Sequence, residues 1–138
     1  MYGALDISVS GMIAQRTRMD ALTANLVNYD ALEDAQGKFS PYLRRHVLFA
    51  PGDPTASTEA GRSMGVHVSD IYADPKSLTR KYMPESKWAD AQGYVMAPDI
   101  SPITEYMNMM EASRAYEANV AAAEATKSMV AQALRLLA

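Results

Sequence analysis

All seven prolines of this chain lie between Pro41 and Pro102, and five of its seven glycines lie between Gly37 and Gly93. Proline removes a backbone donor and clashes with the preceding helical turn, while glycine costs about 1 kcal/mol relative to alanine inside a helix. Their segregation leaves two long ends free to be helical and breaks the middle into short pieces. The expected fold is mainly α with a small β-rich insertion. Long N- and C-terminal helices, in segments 1–35 and 101–138, form a coiled-coil layer, and residues 36–100 form a short-stranded, irregular middle domain.

Within the first segment, Leu5, Ser8, Met12, Gln15, Met19, Leu22, Leu26 and Tyr29 step by three and four residues, which draws one mostly apolar stripe along a helix. Gly11 lies inside that helix, where its lack of a Cβ suits close approach of another backbone, although simple tolerance would also explain it. The second helix opens at Ser101, a good N-cap, with Pro102 at the first helical position where a missing N–H is not needed. Met109, Ser113, Tyr116, Val120, Ala123, Lys127, Val130, Leu134 and Leu137 again alternate steps of four and three, the pattern of a coiled-coil seam. Glu111 with Arg114 and Glu124 with Lys127 are spaced to pair on its surface.

Length turns this helix into an argument about assembly. From Ile103 to Ala138, at about 1.5 Å per residue, it would be a rod of roughly 54 Å, whereas a compact globule of this chain length is roughly 37 Å across. Part of it must therefore lie on something other than this chain's own core. The amino-terminal helix and neighbouring subunits are the available partners. Two one-striped helices on a small middle domain are also expected to fray at their ends in an isolated monomer.

The middle is expected to hold strands at Tyr42–Phe49, Gly65–Tyr72 and Leu78–Tyr82, which are rich in valine, leucine and tyrosine. Residues 50–63, with Pro51-Gly52-Asp53-Pro54 and a small polar run, are expected to be a loop. Trp88 is expected to cover the edge of a small sheet, with a sugar platform as the functional alternative.

Little in the chain points to chemistry. There is no cysteine, which excludes disulfides, thiolate metal sites and cysteine nucleophiles. His46 and His67 each fall in an expected strand, where a packed or surface histidine is the simpler reading. His67 with Asp70 and Asp74 matches no metal-ligand spacing. Gly61 and Gly65 lack the rest of a phosphate loop, and Ser10-Gly11 sits in a helix rather than on a nucleophile elbow. The cluster Met107, Met109 and Met110 suits core or interface packing. Neither catalytic nor cofactor-binding nor metal residues are assigned, so an enzyme is not expected.

Charge excludes nucleic acid as a partner. Residues 1–37 carry five acids against two bases, residues 38–98 eight bases against six acids, and residues 99–138 five acids against three bases. No cleaved secretory signal is expected at the amino terminus, because Asp6 precedes the first base, Arg16. No apolar run approaches the roughly 20 residues of a transmembrane helix.

The run Ala4-Leu5-Asp6-Ile7-Ser8-Val9-Ser10-Gly11-Met12, followed by Ala14-Gln15-Arg16-Thr17-Arg18-Met19-Asp20, resembles the amino-terminal signature of bacterial flagellar rod proteins in their C-type proximal rod form. Gly93-Tyr94-Val95 with Pro98-Asp99-Ile100 resembles the segment that leads into that family's final helix. Ser113-Arg114-Ala115-Tyr116-Glu117-Ala118-Asn119-Val120, with Lys127-Ser128-Met129, resembles its carboxy-terminal signature. The length fits too, since hook and distal rod relatives are much longer.

The resemblance implies a structural subunit of the proximal rod of the flagellar basal body, stacked helically around a central export channel and transmitting motor torque. It implies assembly with copies of itself, other rod proteins, the basal-body membrane ring and the rod's adaptor at that ring. It implies export to a periplasmic rod by the flagellar export apparatus without a cleaved signal. No cofactor is expected. The residues expected to carry subunit contacts are Leu5, Met12, Met19, Leu22 and Leu26 on the first helix and Tyr116, Val120, Val130, Leu134 and Leu137 on the last. The residues alone leave a second class open, a homo-oligomeric coiled-coil adaptor or binding module.

Overall fold

The computed structural model describes residues 2–137, and side chains up to Leu136. Its order is α1 (Tyr2–Val27), β1 (Arg45–Pro51), α2 (Glu59–Met64), β2 (Val66–Ala73), β3 (Leu78–Tyr82), β4 (Tyr94–Pro98) and α3 (Pro102–Leu137). The long terminal helices and the strand-rich middle are as the proline and glycine distribution predicts. Ser101 caps α3 as expected, its Oγ accepting from the Thr104 N–H at 3.4 Å.

α1 and α3 run antiparallel. Three contacts fix their register: Asn25 to Glu105, Arg18 to Glu111, and Gly11 beneath the side chain of Asn119. They recur every seven residues along α1, about two turns, so the helices stay in phase over the length of α1. The same register brings Ala4 level with Thr126. Beyond that, α3 runs past the first described residue of α1 by roughly 13 Å at ~1.5 Å per residue.

The middle forms two separate antiparallel ribbons, β1–β2 and β3–β4. β1–β2 carries a bulge between Leu48 and Phe49 and packs against α1. There the Ser10 Oγ accepts from the Val66 N–H at 3.1 Å, where the chain leaves α2. α2 is anchored by Asp6, whose carboxylate accepts from the Thr58 N–H at 3.0 Å and from its hydroxyl at 2.6 Å.

Two elements depart from expectation. The stretch 50–63, expected as a loop, instead begins with the end of β1 and holds all but the last residue of α2, a six-residue helix whose N-cap Thr58 accepts from the Gly61 N–H. β4 pairs with β3 from Tyr82↔Tyr94 to Leu78↔Pro98 and supplies Val95 and Ala97 to the core. Gly93, with φ +81°, makes the turn into β4, where a side chain would be strained. Trp88 covers the isolated Glu33–Phe39 bridge rather than either ribbon. Its ring lies 5.3 Å from that of Phe39, and its Nε1 donates to Glu33 at 3.0 Å.

The buried apolar set is built mostly from small residues: Ala14, Ala21, Ala97, Ala112 and Ala123, joined by Leu22, Val95 and Ile100. Alanine seams bring helices close but bury little area each, and burial stabilises by about 25 cal/mol per Å². Large apolar side chains stand outside instead. The chain exposes 9142 Å², whereas a compact monomer of its 15.1 kDa would expose about 7,100 Å².

Candidate assembly interface

Two surfaces bear on assembly, one closed within the chain and one open. The closed one is a polar knot where the end of α1, the start of α3 and β1 meet. Asn25 and Glu105 are both 0% exposed. The Asn25 Nδ2 donates to the Arg45 carbonyl and to the Glu105 Oε2, each at 2.9 Å. Its Oδ1 accepts from the Arg45 N–H at 2.8 Å and from the Tyr42 hydroxyl at 3.1 Å. All four hydrogen bonds open to the amide are therefore made.

The other carboxylate oxygen of Glu105 pairs with the Arg44 guanidinium. The Arg44 N–H donates to the Ser77 Oγ at 3.0 Å, which ties the knot to the turn before β3. Burial pushes the Tyr42 phenol above its ordinary range, opposed by the charge of Arg45 and assisted by the Glu105 carboxylate, so it stays a donor to Asn25. Removing one partner from a buried pair is more damaging than the pair's own net worth, so such a knot specifies geometry more than it adds stability.

The open surface is apolar. On the outer side of α3, Ile103, Tyr106, Met107 and Met110 follow one helical face, with Ile103 75% and Met107 65% exposed. Past the end of α1, Met129, Leu134 and Leu136 project from the last turns of α3, Leu136 at 88% exposure. α1 adds Tyr2, Val9, Ile13 and Val27. Of the methionine cluster, Met109 turns inward while Met107 and Met110 face out.

The residues expected to carry subunit contacts divide accordingly. Leu22 is buried within the chain; Leu5, Met12, Met19 and Leu26 are half-buried along α1. Tyr116, Val120 and Val130 are half-buried on α3, and Leu134 is 62% exposed. The side chain of Leu137 lies outside the described residues.

The inner seam of α3 runs through Glu105, Met109, Ala112, Tyr116, Asn119, Ala123, Thr126 and Val130, all buried or half-buried. The expected seam shares Met109, Tyr116, Ala123 and Val130 with it. The alternate positions, Ser113, Val120, Lys127 and Leu134, sit one residue off, because the innermost places are small or polar and a search for apolar side chains passes over them. Gly11 admits a side chain rather than a backbone, since a Cβ there would stand 2.9 Å from the Asn119 amide. Glu111 pairs with Arg18 across the helices at 3.4 Å rather than with Arg114. His67 is a packed strand histidine whose Nδ1 meets the Gly52 carbonyl at 2.6 Å.

No site role for Asn25, Glu105, Arg44 or Tyr42 is evident from the sequence pattern alone. A signal was present: carrying the seam back one turn from Met109 lands on Glu105, an acid on a buried phase.

Residues 5–31 match the family model described as flagella basal body rod protein. Residues 91–136 match the model described as flagellar basal body rod FlgEFG protein C-terminal. These spans take in nearly all of α1 and α3. The chain is 34% identical to the flagellar basal-body rod protein FlgC of Buchnera aphidicola from Acyrthosiphon pisum, over 99% of this chain and 97% of that one. It is 34% identical to FlgC of Bacillus subtilis over 98% and 97%, and 37% identical to FlgC of Aquifex aeolicus over 94% and 91%.

The chain belongs to the flagellar basal-body rod protein family. It is a FlgC-type structural subunit of the proximal rod, not an enzyme, and its place is the rod of the basal body, assembled with other rod components. A small, polar intramolecular seam holds the two helices in register, and large apolar side chains stand exposed on both.

Proposed function

We propose that α1 and α3 build the inner layer of the rod around the export channel, with residues 1–35 and 101–138 as the helical layer and residues 36–100 as an outer domain. Neighbouring subunits cover the outward apolar faces, and the continuous seams so formed transmit motor torque. The observation that carries this reading is surface: the chain exposes about 2,000 Å² more than a compact monomer of its mass, the area a specific interface buries. Much of the apolar part of it lies on the two helices that match the family models.

Of the described residues expected to make contacts, Leu134 is the most exposed and serves assembly directly. Leu5, Met12, Met19, Leu26, Tyr116, Val120 and Val130 serve both the helix pair and its neighbours. Leu22 acts by holding α1 on α3. We assign Leu137 to the same projecting end as Leu134. The membrane ring and its rod adaptor are the partners proposed at the base of the rod, and the flagellar export apparatus the partner before assembly. Met107→Asp with Leu134→Asp changes only exposed positions. Expressed as the sole copy, it should leave monomer folding intact by circular dichroism and abolish swimming, and motile cells with complete rods would refute the assignment.

A further inference from the structure

On the outer face of α3 a cavity of about 330 Å³ lies over Met107, Met110, Glu111 and Arg114. These four stand at i, i+3, i+4 and i+7, the diamond of side chains that forms a hole for one knob of a facing helix. Met107 and Met110 are both exposed, and Ile103 and Tyr106 carry the apolar surface on toward the start of α3. Methionine adapts its shape to an incoming side chain. The shape of the hollow therefore selects an α-helix that presents an apolar knob.

Charge narrows the choice. Glu111 is engaged by Arg18 of the same chain at 3.4 Å, whereas Arg114 is exposed and in no ion pair among the described residues. The one free charge on the rim is thus positive, and the fitting helix carries an acid about one turn from its knob. The exposed large apolar residues of this chain's own helices do not offer that pair. Met129, Leu134 and Leu136 stand among Lys127 and Arg135, with no acid from Ala125 to Leu137. Tyr2 and Val9 lie one turn from Asp6, which Thr58 already holds. Ile13 has no acid within a turn, while Asp30 and Asp99 lie outside the helices that carry Val27 and Ile103.

We propose that this hollow docks a helix of another rod component, which inserts one apolar side chain between Met107 and Met110 and pairs an Asp or Glu one turn away with Arg114. Other rod components are the partners that the family places beside this chain. The contact is heterologous, so it passes the chain on to a different neighbour rather than closing a dimer. It rests on the assembly reading above and deepens it by giving the chemistry of one partner.

Photocrosslinking tests the contact. The photoreactive residue p-benzoylphenylalanine replaces Met107 in cells whose only copy carries it, and basal bodies from swimming cells are irradiated and digested. Mass spectrometry should find crosslinks into a helical segment of another rod component, with an Asp or Glu within about four residues of the crosslinked site. Crosslinks only between copies of this chain, crosslinks only into segments without an acid, or none in complete rods would each overturn the contact while leaving the assembly reading intact. Should the crosslinking variant fail to build rods, Arg114 decides. Arg114→Glu changes an exposed position, so it should leave folding unchanged by circular dichroism and cut swimming at least tenfold. Second-site changes that restore swimming should remove or reverse an acid of another rod component. Normal swimming by Arg114→Glu would overturn the proposal, and the Met107→Asp with Leu134→Asp variant would still test the assembly reading on its own.

Discussion

At its first turn α3 buries Glu105 completely against Asn25 and Arg44, whereas at its last turns Met129, Leu134 and Leu136 stand in solvent. The same helix places a charge where water is excluded and large apolar groups where water is abundant. An isolated globular domain gains from neither choice. The first end is specified by contacts within the chain and sets how the middle domain sits on the helix pair. The second end is the one that, in the assembly proposed above, another subunit covers.

The comparison breaks most visibly if the knot is cut. Glu105→Ala removes the carboxylate that Arg44 and Asn25 share, and because the Arg44 side chain keeps some access to water it should cost about 3 kcal/mol in chemical denaturation. Asn25→Ala, which strips partners from Glu105, Tyr42 and the Arg45 backbone, should cost about 2–3 kcal/mol. Along the seam, Gly11→Ala should lose about 1 kcal/mol. Overpacking against Asn119, about 1–3 kcal/mol, outweighs the gain in helix propensity of about 1 kcal/mol. At the open end, Leu134→Asp with Leu136→Asp should change monomer stability by no more than about 0.5 kcal/mol. Amide exchange of the monomer should be slowest near Asn25 and Glu105 and fastest in α3 beyond Thr126; uniform protection along α3 would contradict the contrast between its ends.

Acid should loosen three turns of the middle. The Glu33 carboxylate is held below its usual range by Lys87 and Trp88, Asp53 by Thr55, and Asp90 by the Tyr94 and Gln92 N–H groups and Arg80. A carboxylate lowered in the folded state contributes stability that is full above its unfolded pKa and lost as pH falls through the folded one. Small losses at these three turns are expected below about pH 4, visible as amide shifts near Tyr94.

Much of this architecture was legible because proline and glycine mark where helices cannot run. The start of α3 followed from Ser101 and Pro102, and β3 was placed residue for residue. The parts that escaped share a physical cause. α2 is too short for apolar periodicity and is held by Asp6, a long-range contact that no local pattern carries. β4 follows Gly93 and ends at Pro98, two residues that count against a strand, yet pairing with β3 decides its conformation. Half of the α3 seam was displaced by one residue because Ala112, Asn119 and Thr126 pack inward where Ser113, Val120 and Lys127 flank them. The knot was hidden because burial of Glu105 depends on Arg44 and Asn25, each far away in sequence.

The central claim is that the exposed apolar end of α3 exists for assembly. Electron cryotomography of basal bodies in cells whose only copy carries Leu134→Asp with Leu136→Asp tests it most directly. The account predicts membrane rings without a rod, from a protein that folds as stably as the wild type. Complete rods in swimming cells would contradict it.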